Sequence, residues 1–273
     1  MDITSPQNPR VKHIVKLRDD KRQRKDDNLI LVEGYDEIQL AISAGHQLQT
    51  LLSAPELASR QIAFSSAESL TVSRAVFEKI SYRENPDGWL AIFPIPKTTL
   101  DNLKLSNTPL VIVAESIEKP GNLGAILRTA DAAHVDALIV CDARVDVWNP
   151  NVVRASRGAV FSVPVVEGDN ASALEWLKTR KMRVVAASPS AEEIYSDVDL
   201  RSPLAVVVGT EDEGLSDFWM QHADVKVKIP MMGKVNSLNV SVSTALIVYE
   251  AMRQRGTKLS PQSPAARTPP KAE

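Results

Sequence analysis

The chain has 273 residues, of which 44% are hydrophobic and 24% are charged, and its formal net charge is −2. These proportions are typical of a soluble globular protein with one large domain or two ordinary ones. The near-neutral charge excludes a global electrostatic attraction to nucleic acid, so any such contact must come from a local basic patch.

The only cysteine, Cys141, excludes an internal disulfide and a multi-cysteine metal site, and it indicates a reducing compartment. It lies in the apolar run DALIVC, which favours a buried structural thiol. The four histidines are scattered and form no metal-ligand spacing, so we expect no metal. The first residues contain no apolar signal segment. We therefore expect a cytoplasmic protein.

Residues 1–93 predict a small α/β domain. Apolar runs at 29–34, 50–54 and 88–93 indicate strands, and 36–45 indicates a helix that ends at Gly45. Residues 94–109 contain three prolines and mostly polar side chains, which is typical of a linker. The final stretch, 257–273, has four prolines and few apolar residues, so we expect a disordered tail.

Residues 110–256 predict a second, larger α/β domain. Six apolar runs, LVIVAES, DALIVC, FSVPVVE, MRVVAAS, LAVVVG and VKVKIP, are separated by helical stretches. Nearly continuous apolar strands that alternate with helices indicate a parallel sheet covered on both faces. Ligands of such sheets bind beyond the carboxyl ends of the strands, so the residues that follow each strand are the candidates for a site.

Three of these post-strand segments are unusual. The first, 115–140, contains Asn122, which can cap a helix, and Arg128 about two turns later. The second, GTEDEG, concentrates three carboxylates in one turn, although a helix start needs only one. The third begins a predicted helix whose apolar positions Leu238, Val242, Ala245, Leu246, Tyr249 and Met252 should face the core. Its first turns carry six hydroxyl or amide side chains, more than capping requires.

Together these segments resemble the three motifs of the SpoU/TrmH branch of the SPOUT RNA methyltransferases. The motifs are NLGAILRTA, VGTEDEGL and IPMMGKVNSLNVSVSTA, and the resemblance covers about residues 110–253. The first domain resembles the substrate-binding domain of members that modify ribosomal RNA, which is itself similar to a small RNA-binding ribosomal protein. The resemblance implies a deep trefoil knot in a SPOUT domain and a homodimer with active sites near the subunit interface.

The implied reaction is methyl transfer from S-adenosylmethionine to a ribose 2′-hydroxyl of RNA, without a metal. The resemblance implies that one set of residues serves catalysis: Arg128, Asn122, Glu211, Asn239 and Ser237. It implies that a second set contacts the cofactor: Gly209, Ile229, Leu238 and Ser188. Glu211 would hold Arg128 or the cofactor loop in place. Arg128 is either the base for the 2′-hydroxyl or a clamp on an RNA phosphate, and a clamp is physically easier because a guanidinium keeps its proton at neutral pH.

A local basic patch supports RNA binding. Residues 10–25 contain eight Lys or Arg against two Asp, a net charge of +6 on one predicted helix. From this helix and from the segment 149–159 we predict that the following residues contact RNA: Arg10, Lys12, Arg22, Arg24, Arg154 and Arg157.

Several functions stay open at this point. Large-subunit (23S) rRNA is the favoured substrate because of the first domain, and a tRNA ribose methyltransferase is the alternative. A catalytically silent RNA-binding or ribosome assembly factor is a third possibility, although the retained motif residues argue against it. A nicotinamide-dependent oxidoreductase would need the G-x-G-x-x-G fingerprint, which the chain lacks.

Overall fold

The computed structural model describes residues 2–256, and the predicted tail 257–273 lies outside these residues. The chain forms two α/β units, each built on one sheet, and residues 95–109 connect them. This connection is packed rather than loose, because Leu100, Leu103 and Leu105 lie against a core cluster of the second unit.

The first sheet is mixed, with the strand order β1-β4-β3-β5-β2. Its strands are β1 (Asp2–Ile3), β2 (Leu29–Glu33), β3 (Thr50–Ser53), β4 (Glu68–Val72) and β5 (Trp89–Pro94). Its helices are α1 (Pro9–Asp19), α2 (Lys21–Asp27), α3 (Tyr35–Ser43) and α4 (Arg74–Ile80). The three predicted strands and the helix before Gly45 are confirmed. Strands β1 and β4 escaped prediction because one has two residues and the other is half polar.

The basic stretch 10–25 forms two helices, so the prediction of one helix was wrong. Asp20 adopts an extended conformation between α1 and α2, and its carboxylate accepts a hydrogen bond from the Arg22 backbone N–H at 2.8 Å. A carboxylate in this position caps the new helix. The basic residues are therefore divided between α1 and α2.

The second sheet has seven strands, all parallel, in the order β10-β12-β9-β11-β6-β7-β8. They are β6 (Leu110–Glu115), β7 (Ala137–Cys141), β8 (Val165–Gly168), β9 (Arg183–Ala187), β10 (Glu193–Ile194), β11 (Leu204–Val208) and β12 (Val225–Lys228). The helices are α5 (Pro120–Ala132), α6 (Pro150–Ala155), α7 (Asn170–Thr179), α8 (Asp217–His222) and α9 (Val240–Gln254). The six predicted strands are present, and the predicted α/β class with a parallel sheet is confirmed. The trefoil knot stays a prediction.

Both faces of the second sheet are covered. Alternate residues of β6 enter different core clusters: Leu110 and Ile112 join one cluster, and Val111 and Val113 join the other. This alternation is the two-residue period of a strand. Helix α5 packs closely on α6 at Gly124, where an added Cβ would lie 2.4 Å from Ala155 Cβ. Gly124 therefore serves helix packing rather than ligand binding.

Helix α9 buries the face opposite to the one predicted. Its buried residues are Val240, Thr244, Ile247, Val248 and Ala251. Val242, Leu246 and Tyr249, which were expected in the core, are exposed to 46%, 37% and 48%. Two apolar stripes run along this helix, and periodicity alone does not tell which of them faces the sheet.

The two units share buried contacts. One core cluster contains Ile30 and Phe93 of the first unit together with Phe161 of the second. The rings of Phe93 and Phe161 lie 6.0 Å apart between centroids. Such a continuous apolar contact holds the first unit in a defined position beside the second.

Candidate active site

Four side chains from three separate segments, Lys119, Asn122, Glu211 and Asn239, form one polar cluster at the carboxyl ends of β6 and β11. Glu211 Oε1 accepts a hydrogen bond from Asn122 Nδ2 at 3.0 Å and another from Asn239 Nδ2. Glu211 Oε2 accepts from Lys119 Nζ at 2.6 Å. Asn239 Nδ2 also donates to Asn122 Oδ1 at 3.1 Å. The cluster therefore ties the start of α5, the loop after β11 and the start of α9 to one another.

The carboxylate at the centre of this cluster is stabilised in its charged form. The hydrogen bond from Lys119 and that from Asn122 hold the pKa of Glu211 below its usual range, and the N–H of Val240 at the start of α9 acts in the same direction. Glu211 in turn raises the pKa of Lys119. The Glu211–Lys119 ion pair is therefore fully charged at neutral pH.

Asn122 does not cap α5, which was one sequence-based interpretation. The helix begins at Pro120, and its N-cap residue Lys119 makes no side-chain capping bond. Lys119 was missed by sequence reasoning. A signal was present, because a cation at a helix N-terminus opposes the helix dipole and needs a specific partner. Here that partner is Glu211.

A cavity of about 570 Å³ opens beside the cluster. Four of the predicted site residues line it together with Glu211: Ser188, Gly209, Ser237 and Leu238. Ile229 is not among the lining residues and packs instead against the larger core cluster. The hydroxyl-rich start of α9 thus does two things, since Asn239 Oδ1 caps the helix at Ser241 N, 3.0 Å away, while neighbouring residues line the cavity.

Gly209 is needed for the shape of the loop after β11. A Cβ at this position would lie 2.1 Å from Gly214 O. The loop closes on itself where Thr210 N donates to Gly214 O at 3.0 Å, and Gly214 has a positive φ of 72°. The GTEDEG turn is therefore compact. Its three acidic residues, Glu211, Asp212 and Glu213, all line the cavity.

A buried network behind the cavity anchors this loop. Glu115, which ends β6 and is 3% exposed, accepts from Ser216 N at 2.8 Å and from Ser216 Oγ at 2.6 Å. Asn170 Nδ2 donates to the same carboxylate at 2.7 Å, and Asn170 Oδ1 accepts from Trp219 Nε1 at 2.7 Å. Sequence reasoning passed over Glu115 because it ends an apolar strand. A charged residue in such a position needs hydrogen-bond partners.

The cavity fits an organic cation of moderate size. Its volume lies within the range of small-molecule sites, and it sits at the strand ends where parallel sheets bind ligands. Three carboxylates besides Glu211 line it, Asp212, Glu213 and Asp217. Glu213 pairs with Arg144 at 3.5 Å, and the carboxylates of Asp212 and Asp217 favour a positively charged sulfonium or ammonium group. Among residues 2–256, no group of His, Cys, Asp or Glu has an arrangement that can hold a metal ion.

Arg128 lies apart from this cavity. It is exposed on α5, six residues after Asn122, which corresponds to about 9 Å along the helix. Its guanidinium makes no hydrogen bond or ion pair within residues 2–256, so Glu211 does not hold it, contrary to one of our expectations. Instead it lines two other cavities, one with Asn151 and Arg154 and one with Tyr249.

Comparisons with known proteins agree with this geometry. The SpoU rRNA Methylase family profile matches residues 109–249. The chain belongs to the SpoU rRNA methylase family. A profile described as an MRM3-like substrate binding domain matches residues 8–91, which covers most of the first unit of this SpoU family member.

Individual relatives are similar over nearly the whole chain. A Bacillus subtilis protein named 23S rRNA (guanosine(2553)-2′-O)-methyltransferase RlmP is 28% identical over 90% of this chain and 97% of its own. A solved RNA 2′-O ribose methyltransferase is 41% identical, with a TM-score of 0.83 over 94% of this chain and all of the other. An AdoMet-bound rRNA methyltransferase from Sinorhizobium meliloti is 27% identical, with a TM-score of 0.84 over 93% of this chain and 97% of the other.

The predicted RNA-binding residues of this SpoU family member differ in accessibility. Lys12 and Arg22 are exposed, and Arg10 is half exposed beside Glu68, 2.5 Å away. Arg24 is only 2% exposed, and its Nε and Nη2 donate to Asp146 Oδ2 of the second unit at 2.9 Å and 2.6 Å. Its charge is buried and paired, so we remove Arg24 from the RNA-binding set. Sequence reasoning placed it there because a net charge does not tell which side of a helix is buried.

The side chains of Arg154 and Arg157 are exposed, and their guanidinium groups make no hydrogen bond or ion pair within residues 2–256. Arg154 lies in the last turn of α6. Arg157 follows the C-cap residue Ser156 and has a positive φ of 53°, so it ends the helix in the left-handed region. Both stay candidates for RNA contact. Across the part of the chain that the structure describes, no helix is long and apolar enough to span a bilayer.

Proposed function

We propose that this protein transfers a methyl group from S-adenosylmethionine to a ribose 2′-hydroxyl of large-subunit (23S) rRNA. The observation that carries the proposal is the Asn122–Glu211–Asn239 cluster beside the cavity at the strand ends. It brings together one predicted catalytic residue from each of the three family motifs. The named activities of the relatives support the same reaction, and they support 23S rRNA as the substrate.

The bound cofactor supplies the methyl group, and this chain's residues hold and orient the reactants. We assign cofactor contacts to Gly209, Leu238 and Ser188, which line the cavity. Ile229 supports the loop from the core side. The acidic turn after Gly209 offers negative charge to the cationic cofactor.

Asn122, Asn239 and Ser237 orient the ribose in this proposal. Two of these side chains are amides fixed by Glu211, so their rotamers are set before the RNA binds. Fixed positions matter because in-line alignment of nucleophile and methyl donor can contribute about 7–11 kcal/mol to the rate enhancement. Glu211 acts here as a positioning residue, and Lys119 keeps it charged.

We assign Arg128 to an RNA phosphate rather than to proton abstraction. Arginine stays protonated at neutral pH, and its guanidinium forms bidentate bonds with phosphate. Arg128 is exposed, and its guanidinium has no partner within residues 2–256, so it is available to bind a phosphate. The proton of the 2′-hydroxyl then passes to the phosphate or to water.

We propose a homodimer that associates through the exposed stripe Val242, Leu246 and Tyr249 of α9. Exposed apolar stripes at helical spacing often mark subunit interfaces. Tyr249 and Arg128 line one cavity, so this association would bring Arg128 to the interface. We also propose a cytoplasmic location, where rRNA is available.

The first unit supports rRNA over tRNA as the substrate, because the similarity to the 23S rRNA methyltransferase RlmP covers 90% of this chain and so includes most of this unit. The experiment is transfer of labelled methyl groups into naked large-subunit rRNA, small-subunit rRNA and bulk tRNA by wild type, Arg128→Ala and, as a matched exposed cation on α7, Lys178→Ala. We expect alkali-resistant label in large-subunit rRNA with wild type and Lys178→Ala, and loss of at least about 100-fold with Arg128→Ala.

Label in tRNA alone would keep the chemistry and refute the assignment of rRNA. Cofactor binding without label in any of the three RNAs would refute catalysis on naked RNA. It would favour a catalytically silent RNA-binding factor. Methyl transfer to assembled ribosomal particles would then be measured to test that alternative.

A further inference from the structure

A second cleft, of about 620 Å³, lies between the two units. From the first unit it is lined by the loop 82–85 and by Glu37 of α3, and from the second unit by Arg154 and Arg157. No residue of the candidate active site lines it. The cleft is distinct from the cavity beside Glu211.

The wall from the first unit is rigid. Glu33, which ends β2 and is 8% exposed, accepts from Ser81 Oγ at 2.5 Å and from Tyr82 N at 2.6 Å. Arg83 Nη2 donates to Glu33 O at 2.9 Å and pairs with Glu37 at 2.6 Å. The side chains of Ser81 and Arg83 are held by these contacts, whereas the side chain of Tyr82 makes no hydrogen bond within residues 2–256 and is 37% exposed. An aromatic ring on a fixed backbone thus faces solvent at the cleft.

The opposite wall carries uncompensated positive charge. The guanidinium groups of Arg154 and Arg157 have no partner within residues 2–256, whereas Arg83 on the first wall is neutralised by Glu37. On the wall from the first unit, the carboxylate of Glu84 repels a phosphate. The cleft therefore offers an aromatic and polar wall on one side and an anion-binding wall on the other.

The cleft continues towards Arg128. A neighbouring cavity of about 540 Å³ is lined by Arg128, Asn151, Arg154 and Arg157, so the two cavities share both unpaired arginines. Gly158 allows the units to approach here, since a Cβ on it would lie 3.2 Å from Glu37 Cα. A track of three unpaired arginines thus leads from α5 to the first unit.

We propose that this cleft binds a nucleotide of the RNA strand next to the methylated one, with its base stacked on Tyr82 and its phosphate on Arg154 and Arg157. Single-stranded RNA is bound in this way by combinations of aromatic faces and cationic grooves. Asn85 and Glu84 can accept hydrogen bonds from the base edge, which gives the cleft a means to select the base. The proposal rests on the proposed function and names a substrate subsite for it.

Stacking and phosphate contacts respond differently to salt, and this difference provides the test. The Kd for a transcript of large-subunit rRNA is measured by filter binding from 50 to 300 mM KCl, and methyl transfer to it is measured alongside. The variants are Tyr82→Ala, Tyr82→Phe and Arg154→Gln. Two controls are matched to them: Phe64→Ala, an exposed aromatic of the first unit outside the cleft, and Lys178→Gln on α7.

We expect Tyr82→Ala to raise the Kd about 5-fold or more at every salt concentration with an unchanged salt slope, because stacking releases no counterions. Tyr82→Phe keeps the ring and should stay within about 2-fold of wild type. Arg154→Gln should reduce the slope of log K against log salt by about 0.7 to 1. Both controls should match wild type.

If the wild type transfers methyl groups but Tyr82→Ala and Phe64→Ala have equal Kd values, the cleft assignment is overturned and the proposed function stands. A change of slope with Tyr82→Ala would also overturn it, because the residue would then act through charge. A wild-type protein that binds the transcript but transfers no methyl group would refute the proposed function, while the Tyr82 comparison would still decide the cleft. Absence of RNA binding by wild type would overturn both.

Discussion

Asn239 Nδ2 lies 3.1 Å from Asn122 Oδ1, although 117 residues separate the two in the chain. The same amide also donates to Glu211, and its other atom, Oδ1, caps α9. One side chain therefore serves helix stability through its acceptor and the candidate site through its donor. The two roles can be separated by substitution.

We predict that Asn239→Asp keeps the cap and breaks the cluster. Aspartate retains the acceptor for Ser241 N but has no N–H for Asn122 or Glu211, and its charge repels Glu211. Methyl transfer should fall about 10- to 100-fold because the site loses its alignment. Asn239→Ala should lose the cap as well and cost about 1 kcal/mol more in unfolding free energy. Urea unfolding and single-turnover transfer measure both effects, and equal activity of Asn239→Asp and wild type would contradict the prediction.

A second prediction concerns the pH dependence of the Glu211–Lys119 ion pair. The folded-state pKa of Glu211 is lowered, so its contribution to stability is present above the unfolded pKa and is lost as pH falls through the folded one. The folded-state pKa of Lys119 is raised, so its contribution is present below the unfolded pKa and is lost as pH rises through the folded one. The pair should therefore stabilise the protein between about pH 4.5 and pH 10.5.

The measurement compares wild type with Glu211→Gln by urea unfolding at several pH values. The difference in unfolding free energy should be constant across the neutral range and shrink at the acid end, below about pH 4. Lys119→Met should show the same behaviour at the alkaline end. A difference that grows with acidification would mean that the folded-state pKa of Glu211 is raised instead.

Much of the second unit could be predicted from the sequence, for a physical reason. Strands buried on both faces are nearly continuous apolar runs, and polar residues at their ends stand out against them. This pattern marked the segments that follow the strands, and the resemblance to the SpoU/TrmH motifs named Asn122, Glu211 and Asn239 within them. The detail that Glu211 accepts from both amides could not be predicted from either. Hydrogen-bond partners depend on loop conformations that no local pattern encodes.

The failures have equally specific causes. Lys119 and Glu115 were overlooked although each has an unusual position for a charged residue. The sequence could not show their partners, because only the fold brings Glu211 and Ser216 to them. The prediction of which face of α9 is buried was wrong, because this helix carries apolar residues on two sides. A helix in a subunit interface typically has apolar residues on two faces. Periodicity in one chain does not tell which face packs against the sheet of that chain.

A third prediction concerns the buried ion pair between the units. Arg24 and Asp146 are 2% and 8% exposed, and two further bonds from Arg24 Nη1 reach the backbone oxygens of Leu17 and Arg18 at 2.6 Å and 3.0 Å. Removal of one partner leaves a buried charge, so Asp146→Leu should cost about 3–5 kcal/mol in unfolding free energy. The double variant Arg24→Met/Asp146→Leu should regain part of this loss. Arg22→Gln, on the exposed side of the same helix, should leave stability unchanged and weaken RNA binding.

The outcome distinguishes a structural from an RNA-binding role of α2. If Arg24→Met weakened RNA binding at low salt without loss of stability, Arg24 would return to the RNA-binding set. If Arg22→Gln had no effect on the salt dependence of RNA binding, the exposed face of α2 would not contact phosphate.

A fourth prediction concerns the exposed stripe of α9. Leu246→Glu places a charge in the centre of the proposed interface and should convert a dimer to a monomer in light scattering. Phe64→Glu, a comparable exposed apolar residue of the first unit, should leave the oligomeric state unchanged. A wild-type protein that is monomeric at micromolar concentration would contradict the proposed interface.

The position of Arg128, away from the Glu211 cluster and next to Tyr249, predicts that each active site combines residues of two protomers. Alone, Arg128→Ala and Asn239→Asp should each keep at most about a tenth of wild-type activity. Mixed in equal amounts and allowed to exchange subunits, they should regain about a quarter of wild-type activity, because half of the dimers are mixed and each mixed dimer has one intact site. No recovery after verified exchange would mean that Arg128 serves the cluster of its own protomer, which would require α5 to move when RNA binds.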